Sequence, residues 1–194
     1  MIAFLRTLAS ITISALQQLA GGSDRGQAVP SQNLQNQALQ LGRELSRLTA
    51  TAAPLRRSPG ALGPDGIERR LTAFASLSYQ ARHLVIAAQA GAMGPAPMVT
   101  AADASKYSAV IAGNTLVLIR MLDKHVPDGV PDSQELPETI GPGRSGNEPA
   151  IAARRELQRI NEALLVLAED LASGRPGRES ATEEAANRQP RLIE

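Results

Sequence analysis

Few residues of this chain have side chains suited to catalysis or ligand binding, and three of them lie close together in the sequence. Tyr79 and His83 are four residues apart, and Arg82 lies beside His83. Residues four apart share one face of a helix, so a hydroxyl, an imidazole and a guanidinium would meet there. Such a set fits an anionic aromatic ligand. The competing interpretation is that Tyr79 and His83 cover the edge of a core while Arg82 is solvated.

A fourth polar residue, Asn114, interrupts the long apolar stretch 109–122. An amide in such a helix needs a hydrogen-bonding partner, and a buried Asn can fix the register of packed helices. The alternative is that Asn114 faces a cavity. A small-molecule-binding bundle would then use Tyr79, Arg82, His83 and Asn114 as its ligand-binding residues.

Motifs that would indicate an enzyme are not found in the sequence. There is no GxxxxGK[ST] phosphate loop, no GxGxxG turn after a predicted strand, no HExxH pair and no GxSxG elbow. The chain has two His and no Cys, and neither His has an acid three residues before it, which disfavours zinc and di-iron sites. We therefore expect a non-enzymatic protein without metal or cofactor.

The charge balance also limits the partners. Twenty basic and nineteen acidic side chains give a net charge of +1, which lacks the positive excess of a general nucleic-acid binder. Residues 1–82 hold nine basic and four acidic groups, whereas 83–194 hold eleven and fifteen. A loop bracketed by two arginine pairs, 56–57 and 69–70, could rest on anionic lipid headgroups. The alternative is an ordinary solvated loop, which could pair with the acidic segment 128–138.

The elements that must hold these residues are helices. Hydrophobic residues make up 43% of the chain and aromatic residues 2%, a composition that favours aliphatic helix packing over a sheet. The fold class is therefore all-α, an antiparallel bundle of about five helices in one domain, 1–173. Apolar periodicity and Pro/Gly breaks place the helices at about 2–20, 31–53, 65–90, 101–125 and 147–173.

Spacing within the helices predicts their packing. Capping boxes begin the third helix at Asp65 and Glu68 and the fourth at Thr100 and Asp103. The fourth helix is apolar nearly all round and is expected to be the most buried. Two leucine seams are expected to serve as packing or oligomer surfaces. The seams are Leu34, Ala38, Leu41, Leu45, Leu48, Ala52 and Leu55 in the second helix, and Leu157, Ile160, Leu164, Leu167 and Leu171 in the fifth.

Three segments call for separate treatment. Residues 126–146 hold four Pro, four Gly and four acidic residues, a composition typical of a flexible acidic loop. The stretch 174–194 is predicted to be a disordered tail. The first segment, 2–20, carries the single charge of Arg6 but is interrupted by polar residues, so an amphipathic helix is favoured over a membrane span or a signal peptide. That helix could coat a membrane or another apolar surface.

The order of the segments resembles a known family. A Leu/Ala-rich helix closed by glycines over 5–22, a Leu- and Arg-rich helix around 41–48, an Arg-Arg-Leu helix at 69–71 and a Leu-rich helix at 157–171 are similar to the soluble helical region between the membrane halves of fusaric-acid-resistance and aromatic-acid-exporter-type proteins. The resemblance covers about 1–173. It implies a cytoplasmic module, peripheral at the inner membrane through a partner. No transport residue can be carried over, because no transmembrane helix is predicted.

These observations favour a non-enzymatic helical interaction module, associated through the resemblance with an efflux-type assembly. The expected partners are another protein, or a second copy of the chain through the leucine seams, with a peripheral membrane contact. Two alternatives stay open: a small-molecule-binding bundle, and a membrane-surface or scaffold protein that uses its first helix.

Overall fold

The computed structural model describes residues 1–21, 31–55, 63–93, 97–123 and 148–173. These residues form five α-helices and no strand, so the predicted all-α fold is confirmed. The predicted loop at 126–146 and tail at 174–194 lie outside the described residues. The helices are α1 (Ile2–Leu19), α2 (Ser31–Ala52), α3 (Gly63–Ala92), α4 (Ala101–Leu122) and α5 (Glu148–Ser173).

Four helices form a closed ring in the order α1, α3, α5, α4, and α2 packs outside the ring against α1 and α3. Phe4 of α1 meets Phe74 of α3 edge to face, with ring centroids 5.0 Å apart. At the other end Leu19 approaches Gly91. Helices α1 and α3 therefore run in the same direction.

The other two ring helices run the opposite way. The amides of Met98 and Val99, just before α4, donate to the carbonyl oxygen of Leu19 at the end of α1. Arg70 near the start of α3 binds Asp170 near the end of α5, across the most extensive helix contact of the fold. Helices α4 and α5 are thus antiparallel to α1 and α3 and parallel to each other.

Helix α2 returns the chain from the end of α1 to the start of α3. Gln37 of α2 donates to the Ser10 hydroxyl of α1 at 3.2 Å. Further along α2, Glu44 approaches the amino group of Met1; burial lowers the pKa of that amino group and the Glu44 carboxylate opposes the shift. Because later residues of α2 meet earlier residues of α1, α2 is antiparallel to both of its neighbours.

The most completely buried helix is α1 rather than α4. Eight of the 18 residues of α1 are buried, against six of the 22 in α4, so the prediction for the fourth helix is wrong. Helix α1 packs against α2, α3 and α4, whereas α4 packs mainly against α1 and α5. The outer side of α4 carries Ala109, Gly113 and Leu116, which are exposed. Small residues raise the apolar count of a helix without adding a large surface to bury.

The first helix has one further property. Within the described part of the chain, Ile2–Leu19 is the one helix whose length and composition would allow it to cross a membrane, and 44% of that stretch is buried inside the bundle. Its apolar stripe, which includes Leu5, Leu8 and Leu16, faces the core. The apolar face expected to coat a surface is therefore occupied by the other helices.

The α5 seam and most of the α2 seam pack inside the molecule, whereas Leu55, the last residue of the α2 seam, is 54% exposed. Leu157, Ile160 and Leu164 are fully buried, as are Leu34 and Leu41 of α2. In this arrangement the α5 seam is not accessible to a partner, and any docking surface must lie on other side chains.

The two predicted capping boxes have different outcomes. The Thr100 hydroxyl accepts a hydrogen bond from the Asp103 amide at 3.1 Å, so the fourth helix begins as predicted. Helix α3 begins at Gly63 and holds Asp65 inside its first turn, so Asp65 is not its N-cap. In the first turn a carboxylate still interacts favourably with the helix dipole.

Candidate functional site

Helix α3 presents an apolar strip to solvent on its outer side. The strip consists of Tyr79 and Ile86 of the helix and of Met93, which follows the last helical residue, Ala92; they are 60%, 60% and 85% exposed. Tyr79 and Ile86 are seven residues apart, and seven residues return to nearly the same side of a helix. We call this set the α3 strip. Large apolar side chains at such spacing are typical of a face that packs against another helix.

The strip is exposed because of how the rest of α3 is packed. Helix α3 contacts α1, α2 and α5, and it buries Phe74, Leu77, Ala81 and Leu84 against them. These residues repeat at three- and four-residue spacing on the side opposite the strip. The sequence therefore gives α3 two apolar faces, of which the described helices cover one.

Two of the predicted ligand-binding residues meet at the strip. The rings of Tyr79 and His83 lie with centroids 4.3 Å apart, tilted by 45°. Tyr79 is exposed and His83 is half-buried. The contact matches the i, i+4 proximity expected from their spacing.

Arg82 lies at the edge of the strip, in the groove between α2 and α3. Its guanidinium occupies the space over Gly42, where a Cβ added to the glycine would come within 2.5 Å of the Arg82 Nη2 atom. The antiparallel register that sets Gly42 against Arg82 brings Leu39, 59% exposed, near the level of Ile86. The groove thus holds a cation with exposed apolar side chains beside it.

The charge around this groove is mostly positive. Between residues 71 and 93, α3 has Arg82 and no acidic residue. The acid of α2, Glu44, is bound to Arg47 at 2.9 Å. Among the described residues, Arg82 makes no ion pair or hydrogen bond. None of the described acids therefore neutralises its charge.

Asn114 lies elsewhere in the fold. It is 7% exposed, and its Nδ2 donates to Oδ1 of Asn161 on α5 at 2.7 Å. This buried amide pair fits the interpretation in which Asn114 fixes helix register. The structure therefore brings Tyr79 and His83 together, places the Arg82 guanidinium over Gly42 in the groove between α2 and α3, and sets Asn114 apart from them, between α4 and α5.

Three residues of interest were not singled out from sequence. Nothing in the sequence distinguishes Gly42 from other small residues, because its contact with Arg82 joins two different helices. Asn161 pairs across helices with a residue far away in the chain, so its neighbours in sequence give no signal of the pairing. Glu156 is 3% exposed, although its spacing to Arg159 is typical of an exposed helix pair.

Glu156 is the most deeply buried acid of the described chain. Its Oε1 lies 3.4 Å from both Arg155 and Arg159, which remain exposed, and its Oε2 has no hydrogen-bonding partner among the described residues. Two long contacts from solvent-facing arginines neutralise the carboxylate only weakly.

Metal binding has no support from the described residues, where no group of three or more His, Cys, Asp or Glu side chains could hold an ion.

The pKa of the Tyr107 hydroxyl on α4 is raised by desolvation, with Arg154 opposing the shift and Asp103 adding to it. Tyr107 is fully buried, and it acts as part of the core.

No protein-family model, curated protein or solved structure matches the chain. The relationship to the exporter family stays a proposal that rests on the segment order and on the leucine and arginine spacing. The function must be inferred from the geometry of the α3 strip and its surroundings.

Proposed function

We propose that this chain is a non-enzymatic helical interaction module and that a partner protein docks on the α3 strip. The observation that carries the proposal is that two large exposed side chains, Tyr79 and Ile86, lie seven residues apart on α3 and that a third, Met93, follows the end of the helix. Each of these groups would gain favourable free energy if a partner removed its apolar surface from water. A helix laid along the strip would bury them through i, i+3, i+4 and i+7 contacts.

The resemblance to exporter-type proteins adds a more specific proposal for the partner. The module would act in the cytoplasm, at the periphery of an inner membrane, by binding a component of an efflux-type assembly. The alternative function, in which α1 coats a membrane, is less favoured because the apolar face of α1 lies in the core. A small-molecule site that combines Asn114 with the predicted residues of α3 is likewise less favoured, because Asn114 lies in a different part of the bundle, between α4 and α5.

The experiment compares two single substitutions matched in exposure. Ile86 is 60% exposed on the strip and Val166 is 59% exposed on α5. Ile86→Asp and Val166→Asp should each change the free energy of unfolding by no more than about 0.5 kcal/mol, as surface substitutions usually do. Full-length tagged chains carrying each change are then used to recover partners from the native cell, with quantification by mass spectrometry.

We expect at least one protein to be recovered with wild type and Val166→Asp but lost with Ile86→Asp. Equal recovery with both variants would contradict docking on the α3 strip. Loss with both variants, at unchanged stability, would move the docking surface toward α5.

A further inference from the structure

Gly42 occupies a position where glycine weakens the helix. It lies in the middle of α2, and glycine in a helix interior is less stable than alanine because it loses more backbone freedom on folding. The atoms within 4 Å of a Cβ added there are Nη2 and Cζ of Arg82. No backbone atom from another helix requires the glycine. The space over Gly42 is therefore filled by one guanidinium and nothing else.

The guanidinium in that space has unused binding capacity. Arg82 makes no ion pair or hydrogen bond with the described residues, although a guanidinium offers five N–H donors in a planar fork. Carboxylates match that fork and can bind it through two parallel hydrogen bonds. The neighbouring groups, Ile86 and Leu39, are apolar and exposed. A ligand for this groove would carry a carboxylate next to apolar side chains.

A second copy of the chain that docks strip to strip does not meet this requirement. A two-fold contact sets a surface against itself, so the α3 strip would meet a strip that also carries Arg82 and that holds no acid between residues 71 and 93. Like charges brought together across an interface are unfavourable. Charge complementarity therefore favours a different protein, one that supplies the acid.

Building on the proposed function, we infer that the groove between α2 and α3 is a carboxylate-binding site and that Arg82, seated over Gly42, binds an Asp or Glu on an amphipathic partner helix. The apolar side of that helix covers Tyr79, Ile86 and Met93. Its acid lies at one edge of the apolar side and reaches across to Arg82. Gly42 keeps the guanidinium low in the groove and so acts as a positioning residue.

The test uses a displayed library of amphipathic helical peptides with fixed leucine seams and with Glu, Gln or Lys at the positions flanking the seam. Selection on the full-length chain should enrich Glu at one flanking position, and selection on Arg82→Gln should not. The peptide selected on wild type should bind Arg82→Gln about tenfold more weakly, the loss of one charge-assisted contact.

Gly42→Ala separates binding from stability. It should raise the melting temperature by about 1–4 °C while weakening the selected peptide severalfold, because the new Cβ displaces the guanidinium. Gly113→Ala is the matched control, since a Cβ at Gly113 meets nothing within 4 Å. It should raise the melting temperature similarly and leave peptide binding unchanged.

The outcomes distinguish this inference from the proposed function. Enriched peptides that show no preference for Glu, or that bind Arg82→Gln and Gly42→Ala as well as wild type, would overturn the carboxylate site while docking on the strip stands, provided that Ile86→Asp abolishes their binding. If no peptide is enriched, both fail. Binding to vesicles of anionic phosphatidylglycerol but to no peptide would also overturn the inference, because the groove would then serve a lipid surface.

Discussion

The outer side of α3 and the contact between α4 and α5 use polar side chains in opposite ways. At the α4–α5 contact, Asn114 and Asn161 are buried and satisfy each other at 2.7 Å. On α3, Arg82 lies at the surface beside exposed apolar groups and pairs with no described residue. Paired polar groups inside a bundle specify packing, whereas an unpaired cation beside uncovered apolar groups is suited to a partner. The difference separates residues that hold the fold from residues available for binding.

The largest expected effect on the free energy of unfolding comes from comparing the buried and the exposed sides of α3. Phe74→Ala removes a ring that is 1% exposed and packed against Phe4, and it should lower the free energy of unfolding by about 3–5 kcal/mol. Ile86→Ala, on the strip, should change it by less than about 0.5 kcal/mol. Urea denaturation measures both. A large loss for Ile86→Ala would mean that the strip is covered within the chain.

The next effect tests the buried amide pair. Asn161→Ala leaves the Asn114 side chain buried without its partner, and this should lower the free energy of unfolding by about 1–3 kcal/mol. Replacing both amides with Leu removes the unpaired group and should recover part of the loss. Peptide or partner binding should stay at the wild-type level in either variant. If Asn161→Ala is as stable as wild type, the proposed role of the pair is contradicted.

A smaller effect concerns the exposed side of α4. Gly113→Ala should raise the free energy of unfolding by about 0.5–1 kcal/mol, because alanine is the better helix former and nothing lies near the new methyl group. Thermal and urea unfolding both report the gain. A loss of stability would show that this side of α4 is contacted by residues outside the described part of the chain.

The smallest effect is confined to alkaline solution. Burial raises the pKa of Tyr107 above its ordinary value of 10.0, so the folded state holds the phenolic proton more tightly than the unfolded state. The resulting stability is fully present below pH 10.0 and is lost as the pH rises through the folded-state pKa. Tyr107→Phe should flatten this decline in urea denaturation followed against pH. An unchanged slope would assign the decline to other groups.

Much of the fold follows from local spacing. Apolar periodicity locates all five helices because each must bury a stripe, and Thr100 marks the start of α4 because its hydroxyl can accept the Asp103 amide. The relative burial of the helices does not follow, because it depends on how many neighbours each helix has. Helix α1 has three, whereas α4 packs mainly against two and leaves Leu116 outside.

The candidate site was predictable only in part. The spacing of Tyr79 and His83 correctly predicts their contact, because four residues make about one helical turn. The contact between Gly42 and Arg82 could not be predicted, since it depends on the register of two antiparallel helices. The sequence shows that Asn114 interrupts an apolar helix but not which neighbour it faces. The predicted grouping of Asn114 with Tyr79 and His83 therefore did not anticipate its partner, Asn161.

The central claim is that the α3 strip is a docking surface, and hydroxyl-radical footprinting of the partner-bound full chain tests it most directly. Tyr79, Ile86 and Met93 are exposed in the free chain and should be labelled there, and binding should protect all three severalfold. Ile151 and Val166, 65% and 59% exposed on α5, should be labelled equally in both states. Protection of the α5 residues with unchanged labelling of the strip would contradict the account.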